Sequence, residues 1–271
     1  MLQRIIVNLS NPHQIPKKTI RKLDMMLTKF VVNKKRWIKL KERKIFTMRN
    51  FGEITNMRIE TFATKEPETL NWINSFNQTD TLLDVGANVG IYSLYAAYKG
   101  HKIAAIEPDA LNFALLNLNI QDNGFNDRVT AFPYSVHAKS KLSILNIDGY
   151  HWGGTASSFD RSLNWKGETM RPAYKQGSSG ITIDDFIEGY HFFPNHIKID
   201  IDGNELLVLD GAKKTLNNPN CKSVLIELFE EHPEYQQCID IFKQNGFTLL
   251  EKTHAAMFDG APTTDNHIFV K

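Results

Sequence analysis

The chain has very little cysteine and no long apolar run. Only Cys221 and Cys238 occur among 271 residues, so we expect two free structural thiols in a reducing compartment rather than a disulfide framework. No run approaches the ~18 apolar residues of a membrane-spanning helix. The first apolar stretch ends after residues 5–7, so we also expect no secretory signal. With 42% hydrophobic and 23% charged residues, the composition favours an ordinary globular chain with a substantial core and disfavours disorder, collagen and repeat arrays.

Charge is distributed unevenly along the chain. Residues 1–50 contain 14 Lys and Arg against only Asp24 and Glu42, a net charge of +12, whereas the remainder has 18 bases and 28 acids, a net charge of −10. Such a basic arm is typical of contact with nucleic acid, an anionic lipid surface or a phosphorylated partner. The alternative is a solvated basic helix pair that docks on the acidic body. Because no nucleic-acid motif accompanies the arm, we expect no nucleic-acid partner.

The order of predicted elements indicates an α/β fold. Apolar residues at helical spacing over 17–49 predict one or two amphipathic helices, and hence a basic helical N-terminal arm over 1–54. Pro67 favours a helix start in the following segment. Beyond residue 80, strands alternate with helices, which predicts a doubly wound, mostly parallel sheet. Two consecutive terminal strands predict one antiparallel pairing at its edge.

Residues 137–180 interrupt this alternation. KLSILNI fits a strand, but the following residues are too polar and glycine-rich for a core element. A stretch of this length within a compact domain is typical of a functional loop. We therefore expect an acceptor-side loop here, and a variable surface insertion is the alternative.

Two strand ends carry the first chemical signal. Asp84-Val85-Gly86-Ala87-Asn88-Val89-Gly90 is a strand end followed by a glycine loop, which lets the backbone turn tightly beside a ligand. The acid before the loop would repel a pyrophosphate but suits a positive group. Glu107 ends the next strand, where a carboxylate accepts hydrogen bonds from a ribose diol. A nucleoside that carries an amino acid, such as S-adenosyl-L-methionine (SAM), has this pair of features.

Four segments carry a family resemblance: LLDVGANVGIYSLYAA, IAAIEPDALNFALLNLNI, IKIDIDGNELLVLDGA and SVLIEL. Together and in this order they resemble the FkbM-type SAM-dependent methyltransferases, over roughly residues 55–271. The resemblance implies a class I methyltransferase, Rossmann-like fold with seven strands in the order 3-2-1-4-5-7-6. It also implies methyl transfer to oxygen, commonly on sugars or other hydroxyl groups of surface glycans and secondary metabolites.

The resemblance also implies which residues contact the cofactor. The implied cofactor residues are Glu66, Asp84, Gly86, Asn88, Gly90, Ser93, Glu107, Pro108, Asp109, Tyr134, Ser135 and Asp200. Two of them have alternative roles: Glu66 as a charge at a helix N-terminus and Asp109 as a helix cap.

Asp200-Ile201-Asp202-Gly203 is the third strand end of interest. Alternation along a strand directs Asp200 and Asp202 to one side. Such a pair can serve as a general base, stabilise the sulfonium or bind a metal, whereas helix capping by Asp202 competes. We assign Asp200 to the reaction centre and Asp202 with Glu205 to the acceptor side, and we assign no metal.

Methyl transfer to an alcohol is an in-line displacement in which alignment supplies most of the acceleration. A base still helps, because a neutral alcohol is a weak nucleophile at pH 7. Our candidates for the base are Asp200, Glu227, His232 and His151. In the polar loop, Trp152 would stack on a sugar face, and Ser157 and Ser158 would bond the edge of the sugar.

The sequence thus predicts a cytoplasmic SAM-dependent O-methyltransferase of polysaccharide biosynthesis, acting on a sugar hydroxyl of a glycan or its precursor. The arm would place the protein peripherally at the inner face of the membrane through an anionic or membrane-associated partner, and a homo-oligomer is compatible with it. One alternative is a metal-dependent glycosyltransferase that uses Asp200 and Asp202. The other is a non-catalytic protein that binds through its basic arm.

Overall fold

The computed structural model describes residues 17–32, 34–254 and 264–271. The helices are α1 (Lys17–Val32), α2 (Glu53–Thr61), α3 (Pro67–Asn74), α4 (Ile91–Lys99), α5 (Ala110–Asp122), α6 (Ile183–Tyr190), α7 (Glu205–Asp210), α8 (Lys213–Asn217) and α9 (Tyr235–Gln244). The strands are β1 (Lys35–Leu40), β2 (Arg43–Arg49), β3 (Thr81–Val85), β4 (Lys102–Ile106), β5 (Val129–Phe132), β6 (Tyr134–Val136), β7 (Lys141–Ile147), β8 (Ser157–Phe159), β9 (Tyr174–Ile181), β10 (His196–Ile199), β11 (Ser223–Leu228), β12 (Thr248–Thr253) and β13 (Asp265–Val270).

The central sheet has seven strands in the order β12-β13-β11-β10-β3-β4-β5. Counted along the chain, this order is the expected 3-2-1-4-5-7-6. Strand β13 runs antiparallel to both of its neighbours, β11 and β12, and the other pairings are parallel. The predicted doubly wound sheet, with antiparallel pairing near one edge, is therefore confirmed.

Each face of this sheet is covered by a separate hydrophobic cluster. Leu82 and Ile103 face α3, α4 and α5 on one side, and Leu83 and Ala104 face α6, α7 and α9 on the other. Strands that are buried on both faces need apolar side chains at successive positions. This requirement explains the apolar runs in the sequence and fixes where the polar strand ends emerge.

The prediction of a purely helical arm is wrong in its second half. Helix α1 is present, but β1 and β2 form an antiparallel hairpin. The side chains of Ile38, Phe46 and Met48 are buried in the core, and Phe46 packs edge-on against Phe62 with the ring centroids 5.7 Å apart. Burial of every second residue, as at Phe46 and Met48, is typical of a strand with one buried face. Packing of these side chains in the core overrides the helical spacing of apolar residues in the sequence.

Within residues 137–180, the predicted strand KLSILNI is confirmed as β7, whereas the prediction of a loop after it is wrong at β8 and β9. Strands β6, β9, β7 and β8 form a four-stranded sheet in that order. Leu145, Ile147 and Phe159 bury one face of it, whereas Leu142 on β7 is 82% exposed. A short sheet with one solvated face contains many polar residues, and this is why its sequence looked like a loop.

Two further elements differ from the sequence prediction. Pro133 divides the predicted third strand, so that β5 and β6 belong to different sheets. The sequence NELLVLDGAKKTLNN over residues 204–218 predicts a single helix, but the structure has two, α7 and α8, which meet at Gly211. An added Cβ at Gly211 would lie 2.5 Å from the carbonyl oxygen of His137. Among the described helices, none is long and apolar enough to cross a bilayer.

Candidate active site

A cavity of about 450 Å³ lies at the carboxyl ends of β3, β4, β10 and β11. This edge is where parallel α/β sheets bind ligands. Its polar lining residues include Arg58, Lys65, Asn88, Glu107, Asn112, Ser135, Thr155, Ser157, Asp200, Asp202, Asn204 and Glu227. Its apolar and aromatic lining residues include Val85, Ile106, Tyr134, Val136, Leu145, Phe159 and Trp165.

The loop after β3 requires two glycines. Gly86 has a φ of 81°, and an added Cβ would lie 1.8 Å from the backbone oxygen of Asp200. Gly90 has a φ of 90°, and its Cβ would lie 2.4 Å from Leu116 Cδ1. Both positions combine a left-handed backbone with a close approach, which only glycine tolerates. Gly86 therefore lets the ends of β3 and β10 frame one cavity.

Glu107 lines the cavity at the end of β4 and is held rigidly. Its Oε2 accepts the backbone N–H of Asn88 at 2.8 Å, and its Oε1 accepts that of Asp109 at 2.8 Å. Burial raises the pKa of Glu107 to about 8, although both N–H groups act in the opposite direction. Each carboxylate oxygen keeps a second acceptor site, so the geometry suits a ribose diol.

Asp84 lies behind the glycine loop rather than in the cavity wall. Its side chain is 2% exposed, its Oδ2 accepts the hydroxyl of Ser93 at 2.5 Å, and burial raises its pKa. Among the described residues, the cavity lining contains neither Asp84, Ser93 nor Gly90. These three support the loop from behind, and direct contact with the cofactor stays a prediction.

In the segment before α3, Lys65 and not Glu66 reaches the cavity. Glu66 is buried, where its Oε1 accepts a 2.7 Å bond from Lys65 Nζ and its Oε2 accepts a 3.2 Å bond from Thr69 Oγ1. Burial raises the pKa of Glu66, but the charges of Lys65 and Lys198 outweigh this effect and hold it below its usual range. Glu66 therefore acts as a buried counter-ion.

Residues after β4 divide into two roles. Pro108 lines the cavity, whereas Asp109 caps α5 by accepting the backbone N–H groups of Leu111 and Asn112. The capping alternative that the sequence left open is thus realised. Tyr134 and Ser135 of β6 both line the cavity, as expected for contacts near the base of a nucleoside.

Three carboxylates meet at the ends of β10 and β11. Oxygens of Asp200, Asp202 and Glu227 all lie within 4.8 Å of one another. Burial and the charges of Asp200 and Asp202 raise the pKa of Glu227 well above its usual range. Burial and the charge of Asp200 raise that of Asp202 to about 6. These effects favour the protonated form of Glu227, which is hydrogen-bonded to Asp200.

Lys198 is the buried partner of this cluster. Its Nζ donates to Asp200 Oδ2 at 2.6 Å and lies 5.1 Å from the centroid of the Tyr92 ring. Burial raises the pKa of Asp200, but Lys198 and Lys65 reverse this and hold it well below its usual range. We missed Lys198, although a lysine within the strand HIKI was a signal, because buried lysines are rare unless they are paired.

The two predicted histidine bases lie away from the carboxylate cluster. His151 is exposed and does not line the cavity. His232 lines a neighbouring crevice with Glu205, Trp165 and Glu227, and its Nε2 has no hydrogen-bond partner among the described residues. Burial lowers the pKa of His232 and raises that of Glu205 to about 7. Neither histidine is placed as a base for the main cavity.

The structure corrects the predicted sugar platform. The Trp152 ring stacks on Phe51 with centroids 5.1 Å apart and lies outside the cavity lining. Ser158 is buried, and its Oγ accepts the side-chain N–H of Asn204 at 3.0 Å. Of the predicted acceptor residues in this segment, only Ser157 lines the cavity, and Trp165 supplies an aromatic wall instead.

Three side chains hold the segment at Gly153 and Gly154 in place. These side chains were not connected with that segment in the sequence analysis. Arg58 Nε donates to the Gly153 oxygen at 3.0 Å. Asn88 Nδ2 and Asn112 Nδ2 donate to the Gly154 oxygen at 2.7 and 3.0 Å. The acceptor side is therefore attached directly to the glycine loop and to α5. Nothing in the local sequence around Arg58 pointed to this role.

The fold and the site together define a class. A class I SAM-dependent methyltransferase is defined by three features that are present here: a seven-stranded sheet in this order, a glycine loop after its first strand and a rigid carboxylate after its second. The family model described as "Methyltransferase FkbM domain" matches residues 84–249. The chain therefore belongs to the FkbM methyltransferase family, and its cofactor is SAM.

One curated relative and two solved structures give further comparison. The chain is 24% identical over 195 residues to the 31-O-demethyl-FK506 methyltransferase FkbM of Streptomyces tacrolimicus, which covers 63% of this chain and 74% of that protein. It is 12% identical to Aeropyrum pernix fibrillarin in complex with SAM, covering 76% and 74% of the two chains with a TM-score of 0.45. It is 11% identical to a putative rRNA-methylase from Clostridium thermocellum, covering 77% and 96% with a TM-score of 0.47. The predicted family, enzyme class and cofactor are confirmed.

Proposed function

We propose that the protein transfers the methyl group of SAM to a hydroxyl oxygen of a sugar, in a surface glycan or its precursor. The observation that carries this proposal is the position of Asp200, Asp202 and Glu227 in the same cavity as Glu107. Carboxylates accept hydrogen bonds from hydroxyl groups and can take up their proton. The name of the curated relative, 31-O-demethyl-FK506 methyltransferase, describes methyl transfer to an oxygen. This supports an oxygen as the methyl acceptor for the present protein.

The nucleoside half of the cavity fits SAM. Glu107 would hold the ribose, because its carboxylate is fixed by two backbone N–H groups at the cavity wall. Tyr134, Val136 and Phe159 give the cavity an apolar and aromatic wall that suits a purine base. A volume of about 450 Å³ lies within the range of ligand sites.

SAM, when bound, supplies an electrophilic methyl group on a sulfonium. The chain's own part is to orient the acceptor hydroxyl and to remove its proton. Asp202 lines the cavity beside Asp200 and Glu227, and a carboxylate in this place can accept the proton of a hydroxyl group. The backbone N–H of Ala156 donates to Asp202 Oδ2 at 2.8 Å, which fixes the direction of the carboxylate. We therefore assign proton removal to Asp202.

The charge of the cavity favours a neutral acceptor over a phosphate-bearing one. Asp200, Asp202 and Glu227 surround the acceptor side, whereas Arg58 faces Gly153. In the cavity without a bound cation, a phosphate beside Asp200 and Asp202 would be repelled. This is why we favour a sugar hydroxyl over RNA, although the basic arm alone would suit either.

The test is methyl incorporation from radiolabelled SAM into a panel of nucleotide-sugars, oligosaccharides, polyols and RNA. We expect label in a hydroxyl-bearing neutral acceptor, as a methyl ether that survives mild alkali, with no label in RNA. Glu107→Ala should abolish incorporation, and the matched surface variant Asp148→Asn should not. Label that enters RNA alone, or an alkali-labile methyl ester, would contradict the proposal.

A further inference from the structure

The carboxylate cluster has the dimensions of a cation site. Oxygens from Asp200, Asp202 and Glu227 lie within 4.8 Å of one another. Hard divalent cations bind oxygen ligands at about 2.0–2.6 Å, so ligands on opposite sides of one ion lie about 4–5 Å apart. The three carboxylates can therefore share one ion without movement of the strand ends that carry them.

Asn204 provides a second, independent observation. Its side chain is 3% exposed and lines the same cavity as the three acids. Its Nδ2 donates to Ser158 Oγ at 3.0 Å, which fixes the amide, while its Oδ1 has no hydrogen-bond partner among the described residues. Buried acceptors without a donor are rare, and amide oxygens are ligands that Ca²⁺ and Mg²⁺ use.

The neighbouring cations leave room for a further positive charge. Lys198 contacts Oδ2 of Asp200, and an ion bound between Asp200 and Glu227 would replace the hydrogen bond that joins these two side chains. Lys65 pairs with Glu66 at 2.7 Å, and Arg58 donates to the Gly153 oxygen. Lys65 acts on Asp202 and Glu227 through its charge, and oxygens of these two carboxylates lie within 4.8 Å of each other.

We propose that Asp200, Asp202, Glu227 and the Oδ1 of Asn204 hold one hard divalent cation, of the Mg²⁺, Mn²⁺ or Ca²⁺ type, on the acceptor side of the cavity. The site itself rests on the three carboxylates, whose oxygens lie within 4.8 Å of one another, and on the unpartnered Oδ1 of Asn204 in the lining of the same cavity. Its role rests on the proposed function: one or two hydroxyl oxygens of the acceptor would complete the coordination of the ion and so be positioned for transfer. Acceptors with adjacent hydroxyl groups, as in sugars, suit this arrangement.

The test is a Mn²⁺ titration of the full chain, with free Mn²⁺ followed by electron paramagnetic resonance. We expect one ion per chain, displaced by excess Mg²⁺ or Ca²⁺. Asp202→Asn and Glu227→Gln should each weaken binding at least tenfold. Asn204→Leu should weaken it severalfold, whereas Asn204→Asp, which restores an oxygen, should bind at least as tightly as the wild type. Asp148→Asn, an exposed acid outside the cavity, should bind as the wild type does.

Two outcomes would overturn the site: no bound Mn²⁺ at millimolar concentrations, or binding that Asp202→Asn and Glu227→Gln leave unchanged, which means an adventitious ion only. Circular dichroism of each variant verifies folding, and both amides are isosteric with the acids they replace. S-adenosylhomocysteine binding, measured by calorimetry on the same samples, separates the two proposals. If the wild type binds the nucleoside but no ion, only the cation site fails. If it binds the ion but no nucleoside, the proposed function fails and the site stands.

Discussion

Lys198 Nζ lies 2.6 Å from Asp200 Oδ2, with the lysine side chain 2% exposed at the centre of the main sheet. Lys198 also pairs in register with Asp84 on the neighbouring strand. One buried cation thus stands between the carboxylate behind the glycine loop and the carboxylate at the floor of the cavity. Its charge keeps Asp200 ionised where burial alone would protonate it.

Replacing Lys198 by methionine should therefore destabilise the protein strongly. The change leaves the buried Asp84 and the half-buried Asp200 without their cation, and breaking a buried pair in this way costs at most about 3–5 kcal/mol. The free energy of unfolding in urea measures the effect. The double variant with Asp200→Asn should recover part of the loss, because it removes one uncompensated charge. A single variant within about 1 kcal/mol of the wild type would contradict this account.

Glu107→Gln should weaken binding of S-adenosylhomocysteine. The amide keeps the size of the side chain but replaces one acceptor oxygen by a donor, which faces the backbone N–H of either Asn88 or Asp109. Losing one hydrogen bond from the ribose costs about 0.5–1.5 kcal/mol, or roughly 2- to 10-fold in affinity. Calorimetry gives the dissociation constant, with Glu168→Gln as the matched surface control. Equal affinities for both variants would refute the ribose assignment.

Stability should fall as the pH rises from 6.5 to 8.5. Burial raises the pKa of Glu107 to about 8 and that of Glu205 to about 7, from a usual 4.5. Over this interval the unfolded chain has already released these protons while the folded chain still binds them, so folding becomes less favourable by about 1–2 kcal/mol per group. His196, whose pKa is lowered to about 4, acts in the opposite direction only below about pH 6.5.

Urea midpoints at pH 6.5 and 8.5, without ligand, measure this dependence. Glu107→Gln and Glu205→Gln should each flatten it, because an amide does not titrate. A midpoint that rises with pH over this interval would show that these carboxyl groups are ionised in the folded protein.

Gly86→Ala should disrupt the site far more than Gly124→Ala. Both glycines have positive φ, 81° and 66°, but an added Cβ at Gly86 meets the Asp200 oxygen at 1.8 Å, whereas Gly124 has nothing within 4 Å. Gly124→Ala should lower the free energy of unfolding by only about 1–2 kcal/mol, which is the cost of a left-handed backbone at a residue with a Cβ. Gly86→Ala should cost more and abolish S-adenosylhomocysteine binding. Thermal melts and calorimetry on both variants make the comparison, and similar losses in the two would count against it.

The fold was predictable because its signals are local. Each parallel strand is an apolar run followed by a polar end, and the glycine loop and Glu107 mark the first two ends directly in the sequence. The hairpin of β1 and β2 was not predictable from local spacing. Phe46 and Met48 adopt a strand because their side chains pack in the core, and the residues they contact there are distant in sequence. Strand β7 was predicted, whereas β8 and β9 were missed because their sheet has one solvated, polar face.

The site was predictable only where a residue follows a strand. Asp200, Asp202 and Glu227 were found in this way, and the structure brings their oxygens together. Arg58 and Asn112 approach the cavity from helices that are distant in sequence, so no local pattern reveals them. Trp152 was misassigned because an aromatic residue in a polar segment looks exposed, whereas its partner, Phe51, lies about a hundred residues earlier.

Asn88 has one further consequence for how the enzyme works. Its backbone N–H holds Glu107, while its side chain holds Gly154. One residue thus contacts both the carboxylate that faces the nucleoside and the segment on the acceptor side. Binding of the methyl donor would order the acceptor side of the cavity. This arrangement favours ordered binding, with SAM before the acceptor, over random binding.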